Sequence, residues 1–299
     1  MDVAFKTKLG VSIRGLAEEV LCSELVASHY GHVDLLFTSP PFPLNRKKKY
    51  GNLQGQEYIA WLAKFAPIFK EVVSPTGSIV IELGNSWEPG SPVMSTLALR
   101  ALLAFLDEGG FRLCQQFVWY NPAKLPSPAQ WVTVERIRVK DAYTHLWWMS
   151  ATERPKANNR KVLQEYSDAM KKLLETKKYN SGTRPSEHQI GDASFLRDHG
   201  GAIPPNVLSV ANTRASSDYL SYCRANGIKS HPARMPIEVA EFFIKFLTDP
   251  DDLVLDPFAG SNTTGAAAEN LERRWIAIEP QDEYIAGSKG RFKTILGAG

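Results

Sequence analysis

Asp252-Leu253-Val254-Leu255-Asp256-Pro257-Phe258-Ala259-Gly260-Ser261-Asn262-Thr263-Thr264-Gly265, followed by Arg274-Trp275-Ile276-Ala277-Ile278-Glu279, is the stretch that decides the architecture. A short apolar run stops at an acid, a glycine-bearing loop turns into a helix, and a second apolar run stops at another acid. Runs of this length read as buried strands, and strand, loop, helix, strand is the repeating unit of an α/β sheet. Such sheets hold ligands outside the carboxyl ends of their strands. Gly260 lets backbone approach a ligand, and the amides of Ser261 to Thr264 open the helix. Glu279 lies 19 residues beyond Gly260, a spacing that suits a carboxylate facing ribose hydroxyls. A dinucleotide site expects Gly-x-Gly-x-x-Gly; the loop from Asp256 to Asn262 lacks it, so a single nucleoside is better served than a pyrophosphate.

Working outward, the same alternation fills the chain. Strands are expected near Leu9 to Ile13 and over 33–37, 78–84, 113–120 and 142–149, with one helix through Leu16 to Leu25. Another runs through Tyr58 to Val72, ended by Pro75-Thr76-Gly77, a third over 97–106, and a fourth carries Val239, Phe242, Phe243 and Leu247. This predicts an α/β fold, a doubly wound, mostly parallel sheet. Residues 151–210 are polar, hold a helix-like Val162 to Leu174 and show no buried strand, so they read as an inserted module. The expected division is 1–150, 151–210 and 211–299.

Val33-Asp34-Leu35-Leu36-Phe37 runs into Thr38-Ser39-Pro40-Pro41-Phe42. Proline fixes its own φ and holds the preceding residue extended, so the Ser39 hydroxyl and the Pro40 carbonyl are positioned before a ligand arrives, with the flat face of Phe42 beside them. Read alone, the five residues also suit a proline-rich turn over a buried phenylalanine. His145, between Thr144 and two tryptophans, reads as a packed core residue.

The net charge of +3 is unevenly spread. Between Asn121 and Arg184 thirteen lysines and arginines face six acids, an excess of seven that leaves the remainder of the chain at −4. Such a basic middle suits a polyanion, as does the loop holding Arg46, Lys47, Lys48 and Lys49, although a solvated helix face gives a similar count. The apolar runs fall short of the roughly 18 residues of a membrane span, and the first residues lack a signal-peptide core, so no membrane association and a cytoplasmic location are expected. Cys22, Cys114 and Cys223 stand far apart without a neighbouring His at ligand spacing, which argues for reduced thiols and no metal.

Thr38-Ser39-Pro40-Pro41-Phe42 together with Asp256-Pro257-Phe258-Ala259-Gly260-Ser261 resembles the S-adenosylmethionine-dependent DNA amino-methyltransferases. The catalytic motif precedes the cofactor motif, which is the circularly permuted order of the family's β group. His231-Pro232-Ala233-Arg234-Met235-Pro236 looks like the cofactor-flanking segment, and Trp119-Tyr120-Asn121-Pro122 like the base-pocket segment. Among members, type II modification enzymes that make N4-methylcytosine, the CAGCTG-specific one included, are the most similar. Many relatives carry Gly where this chain has Asn262.

The resemblance implies a Rossmann-like methyltransferase fold with S-adenosyl-L-methionine as cofactor and double-stranded DNA as partner. It implies methyl transfer to the N4 amine of a flipped cytosine, with Ser39, Pro40, Pro41 and Phe42 as the catalytic motif and stacking on Phe42 offsetting the cost of extrusion. Thr38, Asp256, Pro257, Phe258, Gly260, Ser261, Asn262, Thr263, Glu279, His231 and Pro232 would meet the cofactor. Arg46, Lys47, Lys48, Lys49, Lys124, Arg136, Arg138, Lys140 and Arg184 would meet DNA, 151–210 would be the target-recognition module, and a restriction endonuclease of the same site is a possible partner to a monomer or homodimer found on the nucleoid. Ser39 in place of Asp or Asn favours cytosine N4 over adenine N6. Methylation of the cytosine ring carbon would need a thiolate after Pro, and no cysteine follows a proline. A non-catalytic DNA-binding protein and an NAD-type oxidoreductase are the readings from other classes.

Overall fold

The computed structural model describes residues 1–42, 53, 55–178, 182, 183, 185–187, 189–191, 195–214 and 217–296. The chain divides into two compact units, Met1–Ala157 with Asn206–Gly299, and Asn158–Pro205.

The strands of the larger unit are β1 (Asp2–Lys6), β2 (Gly10–Arg14), β3 (Val33–Thr38), β4 (Val73–Gly84), β5 (Arg112–Tyr120) and β6 (Tyr143–Ser150). With β9 (Val207–Ser209), β10 (Leu253–Asp256) and β11 (Arg274–Glu279) they form a nine-stranded sheet of order β1-β2-β11-β10-β3-β4-β6-β5-β9. Five neighbouring pairs are parallel; β1–β2, β4–β6 and β5–β6 are antiparallel. The helices are α1 (Ala17–Leu21), α2 (Glu24–Ala27), α3 (Gly55–Ala63), α4 (Phe65–Val72) and α5 (Leu97–Gly109), then α7 (Ser217–Ala225), α8 (Ile237–Leu247), α9 (Thr263–Asn270) and α10 (Asp282–Ser288). No helix among the described residues is long and apolar enough to cross a membrane.

Successive side chains of a strand point to opposite faces, and the central strands are apolar at every step because both faces are covered. Leu36, Ile79, Leu255 and Ile276 pack with α1, α3, α4 and α5 on one face; Leu35, Val80, Val254 and Ala277 pack with α8, α9 and Ile285 of α10 on the other. The crossover from β3 to β4 therefore lies on one face and that from β10 to β11 on the other. Because β3 and β10 are neighbours, the chain diverges between them, and a crevice opens at their carboxyl ends.

The expected helix over Leu16 to Leu25 is two short ones, since Ser23 accepts from the Leu25 amide and caps α2. That over Tyr58 to Val72 is interrupted at Lys64. β4 begins at Val73, five residues before the expected start; Val33 pairs with Val73 and Leu35 with Ser78, so the Pro75-Thr76-Gly77 segment bulges from the ladder. The loop 122–141 contains a π-helical turn over Gln130–Val134. No strand is expected in the polar stretch 151–210, yet β9, near its end, pairs parallel with β5 and belongs to the sheet.

The smaller unit holds a 3-10 turn (Asn159–Val162), α6 (Asp168–Thr176) and the two-stranded pair β7 (Gly182–Thr183) and β8 (Gln189–Ile190). Its helix starts at Asp168, not Val162, because Ser167 caps it by accepting from the Met170 amide.

Candidate active site

Four parallel strands end side by side in the order β11, β10, β3, β4, and each delivers a polar residue at or near its end: Glu279, Asp256, Thr38 with Ser39 beyond it, and Glu82. A cavity of about 550 Å³ opens there, lined by Ser39, Pro40, Pro41 and Phe42 and by Asp256, Pro257, Phe258, Gly260, Ser261, Thr263, Glu279, His231 and Pro232. The two motifs, far apart in sequence, thus share one cavity. Thr38 and Asn262 are not on its wall; both side chains are buried in its frame.

Thr38 donates to Asp256 Oδ1 at 2.7 Å, Thr264 donates to Asp256 Oδ2 at 2.6 Å, and the Phe258 amide donates to Oδ1 at 3.1 Å. Burial raises the Asp256 carboxyl above its ordinary range, against the pull of these donors. Asp256 therefore ties the loop 256–261, the first turn of α9 and the end of β3 to one another. Glu279 does the same on the other side. Its Oε2 accepts from the Gly260 amide and its Oε1 from the Gln281 amide, both at 2.9 Å. Burial pushes its pKa up to about 7.

Gly260 has φ +52, where an L side chain is strained, and a Cβ there would stand 3.1 Å from His231 Nε2, tight enough that the ring would have to shift by a few tenths of an ångström. Asn262 takes φ 54, ψ 47, a left-handed conformation that Asn tolerates better than most residues, and its Oδ1 accepts from the Gly265 amide at 3.0 Å. A Cβ on Gly265 would lie 2.2 Å from that oxygen. Asn262 is thus the cap of α9.

At the other end of the cavity the Ser39 hydroxyl donates to Glu82 Oε2 at 2.5 Å. Glu82 is 3% exposed, and burial lifts its pKa to about 7 while the Ser39 proton and the charge of Lys124 pull it down. Because Ser39 spends its proton on Glu82, its oxygen lone pairs are left for a donor in the cavity. The Phe42 ring packs at van der Waals distance over Gly84 at the end of β4, 3.9 Å from where a Cβ there would be. Trp119 and Asn121 line the cavity, the Trp119 indole fixed by the Val210 carbonyl at 2.8 Å and the Asn121 amide oxygen by the Ala123 amide at 3.1 Å. Phe258 closes the wall edge-on to Phe65 at 5.2 Å and beside Trp61 at 5.5 Å.

Among the expected DNA contacts, Lys124 lines the cavity, whereas Arg136, Arg138 and Lys140 are exposed on the loop beyond it. Lys140 donates to the Pro122 and Lys124 carbonyls and Arg138 to the Pro92 carbonyl, so both also hold that loop in place. Arg46, Lys47, Lys48, Lys49 and Arg184 lie outside the described residues. His145 is a core residue: its ring stacks on Trp147 at 5.3 Å and its nitrogens meet Asn85 and Gln116 at 3.0 and 3.1 Å. The residues that sequence reasoning missed are Glu82 and Arg234, both on the wall. A charge inside the apolar run Ile79-Val80-Ile81-Glu82-Leu83 was the available signal for the first.

Comparison with known proteins agrees with this geometry. A family model described as DNA methylase matches residues 33–290. The type II methyltransferase M.PvuII of Proteus hauseri is 50% identical over 262 residues, 87% of this chain and 78% of that protein. The solved structure of PvuII DNA methyltransferase, named as cytosine-N4-specific, aligns with TM-score 0.78 and 40% identity over 98% of this chain and 89% of that one. The M1.HpyAVI–SAM complex, at 21% identity and TM-score 0.54 over 95% of this chain and all of that one, shares the fold. The chain belongs to the DNA methylase family.

Proposed function

We propose that this protein transfers the methyl group of S-adenosyl-L-methionine to the exocyclic N4 amine of a cytosine flipped out of duplex DNA. The observation that carries the reading is one cavity with the Ser39–Glu82 pair at one end and the Asp256–Glu279 loop at the other. The cytosine-N4 name of the relative with 40% identity supports the choice of base. The cofactor supplies an electrophilic methyl on a sulfonium. Glu279 and the Gly260 loop suit its ribose, and Phe258 with Trp61 its apolar surface.

An exocyclic amine conjugated to its ring is a poor nucleophile. Its hydrogens must be drawn by acceptors so that the nitrogen becomes tetrahedral and aims a lone pair at the methyl; Ser39 Oγ and the Pro40 carbonyl are those acceptors. Alignment to roughly 3–3.5 Å supplies several kcal/mol of the barrier reduction. Transfer leaves one proton too many on nitrogen. It passes to Ser39 Oγ as Ser39 passes its own to Glu82, which ends the step as a carboxylic acid and returns the proton to water. Glu82, with a pKa near 7, suits that task. Phe42 stacks on the extruded base and offsets part of the unstacking cost of a few kcal/mol.

Lys124, Arg136, Arg138 and Lys140, with Arg46, Lys47, Lys48, Lys49 and Arg184, contact phosphates, which set the register of the duplex without reading it. The unit Asn158–Pro205, which overlaps the basic stretch over 158–184, reads the target sequence. Such an enzyme works on the nucleoid in the cytoplasm, and a restriction endonuclease of the same site is its natural counterpart. Ser39→Ala tests the reading. Transfer of a tritiated methyl to unmodified DNA falls at least about a hundredfold while calorimetric binding of S-adenosylmethionine is retained; near-normal transfer would remove Ser39 from catalysis.

A further inference from the structure

β4 and β5 are both antiparallel to β6, so they run in one direction, and the loop that leaves the end of β5 rises from the edge of the sheet where Glu82 stands. That loop, 122–141, begins and ends at the cavity: Asn121 and Lys124 line the wall at one end of it, Ala142 and Tyr143 at the other. The charge of Lys124 acts on the Glu82 carboxyl, which places this part of the wall at the Ser39 end. The first turn of the loop is braced. The Ala123 amide donates to Asn121 Oδ1 and the Lys124 amide to the Asn121 carbonyl, both at 3.1 Å. Lys140 Nζ donates to the Pro122 and Lys124 carbonyls at 3.2 and 3.4 Å, and the Asp141 amide to the Ser127 carbonyl at 2.9 Å. On this turn, next in the chain to Lys124 of the wall, stands Leu125, 80% exposed.

Apolar side chains scattered singly over a surface need no explanation. Leu125 is not scattered. The same loop exposes Val134, Ile137 and Val139 together with Arg136, Arg138 and Lys140, so apolar and cationic groups are interleaved in solvent beside the mouth of the cavity. Cations of this kind suit a phosphate backbone, and proteins that distort duplex DNA pair them with a Leu, Ile, Met or Phe driven between base steps. Extrusion of a base opens a gap of that kind, walled by the faces of the two flanking bases and located beside the pocket that takes the extruded one.

We infer that Leu125 is the wedge that occupies the space vacated by the extruded cytosine, keeping the base from falling back while Lys124 beside it lines the pocket in which the base is held. The inference rests on the base-flipping reading above. The turn that carries Leu125 is already ordered by its hydrogen bonds, so little freedom is lost when the side chain enters the duplex. Val139, 87% exposed on the same loop, is the rival, but its shorter side chain reaches less far between bases.

Sequencing of plasmid DNA that the wild type has methylated gives the target site, on which two oligonucleotide duplexes are built. One is fully paired; the other has an abasic site opposite the target cytosine, which removes the pair that must be broken. Single-turnover transfer of a tritiated methyl is measured on each. Leu125→Ala should be at least about tenfold slower than the wild type on the paired duplex and within about twofold of it on the abasic one. Val139→Ala should match the wild type on both. A Leu125→Ala rate near that of the wild type on the paired duplex, an equal loss on both duplexes, or the selective loss appearing in Val139→Ala instead would overturn the assignment and leave the flipping reading intact. A wild type that leaves plasmid DNA unmethylated would overturn both.

Discussion

The Thr38 hydroxyl donates to the Asp256 carboxylate at 2.7 Å although the two residues are 218 positions apart in the chain. This contact joins the strand that carries the catalytic motif to the loop that carries the cofactor motif. Thr38→Val, which keeps the shape and removes the donor, leaves a buried Asp256 oxygen with one partner fewer. Stability should fall by about 1–3 kcal/mol in urea denaturation, and the dissociation constant for S-adenosylmethionine should rise. Unchanged values of both would mean that Asp256 is positioned by Thr264 and the Phe258 amide alone.

Glu82 should hold function and stability in opposition. Its pKa is raised from 4.5 to about 7, so the folded state favours the neutral form. The stability it contributes is full below the unfolded value and is lost as pH rises through 7, a difference of about 3 kcal/mol. Glu82→Gln is expected to raise Tm at pH 8 and to change it little at pH 5. Turnover should move the other way, falling sharply at every pH, and the wild-type rate should decline as pH drops below about 7, because a protonated Glu82 offers its proton to Ser39 and takes one of the lone pairs meant for the amine. A rate independent of pH between 6 and 8 would separate Glu82 from the chemistry.

Asn262 is held in a left-handed conformation and caps α9. Asn262→Gly loses the cap but relieves the backbone, and should cost less than about 1 kcal/mol; Asn262→Ala loses the cap and keeps the strain, and should cost about 2 kcal/mol in urea denaturation. Equal stability of the two variants would contradict this account of the position.

The parts legible in the sequence were those where one periodicity or one motif decides. Val33–Thr38, Leu253–Asp256 and Arg274–Glu279 are apolar at nearly every step because the sheet is covered on both faces, and they read as strands without help. Val207–Ser209 did not, since three residues carry no periodicity and only the parallel pairing with Val118–Tyr120 makes them a strand. Val73–Gly77 was hidden by Pro75 and Gly77, which break a regular ladder but are accommodated in a bulge. In the site, the motif residues are visible from their types, whereas Glu82 matters through a partner in another segment. Ser39 meets Glu82 because β3 and β4 are neighbours in register, Thr38 beside Ile81, and no local pattern in the chain states that.

The atom that receives the methyl group defines the reaction. Unmodified duplex DNA treated with the protein and S-adenosylmethionine, digested to nucleosides and resolved by mass spectrometry, identifies it directly. N4-methyldeoxycytidine should be the sole modified nucleoside. N6-methyldeoxyadenosine in its place, or no methylated nucleoside at all, would contradict it.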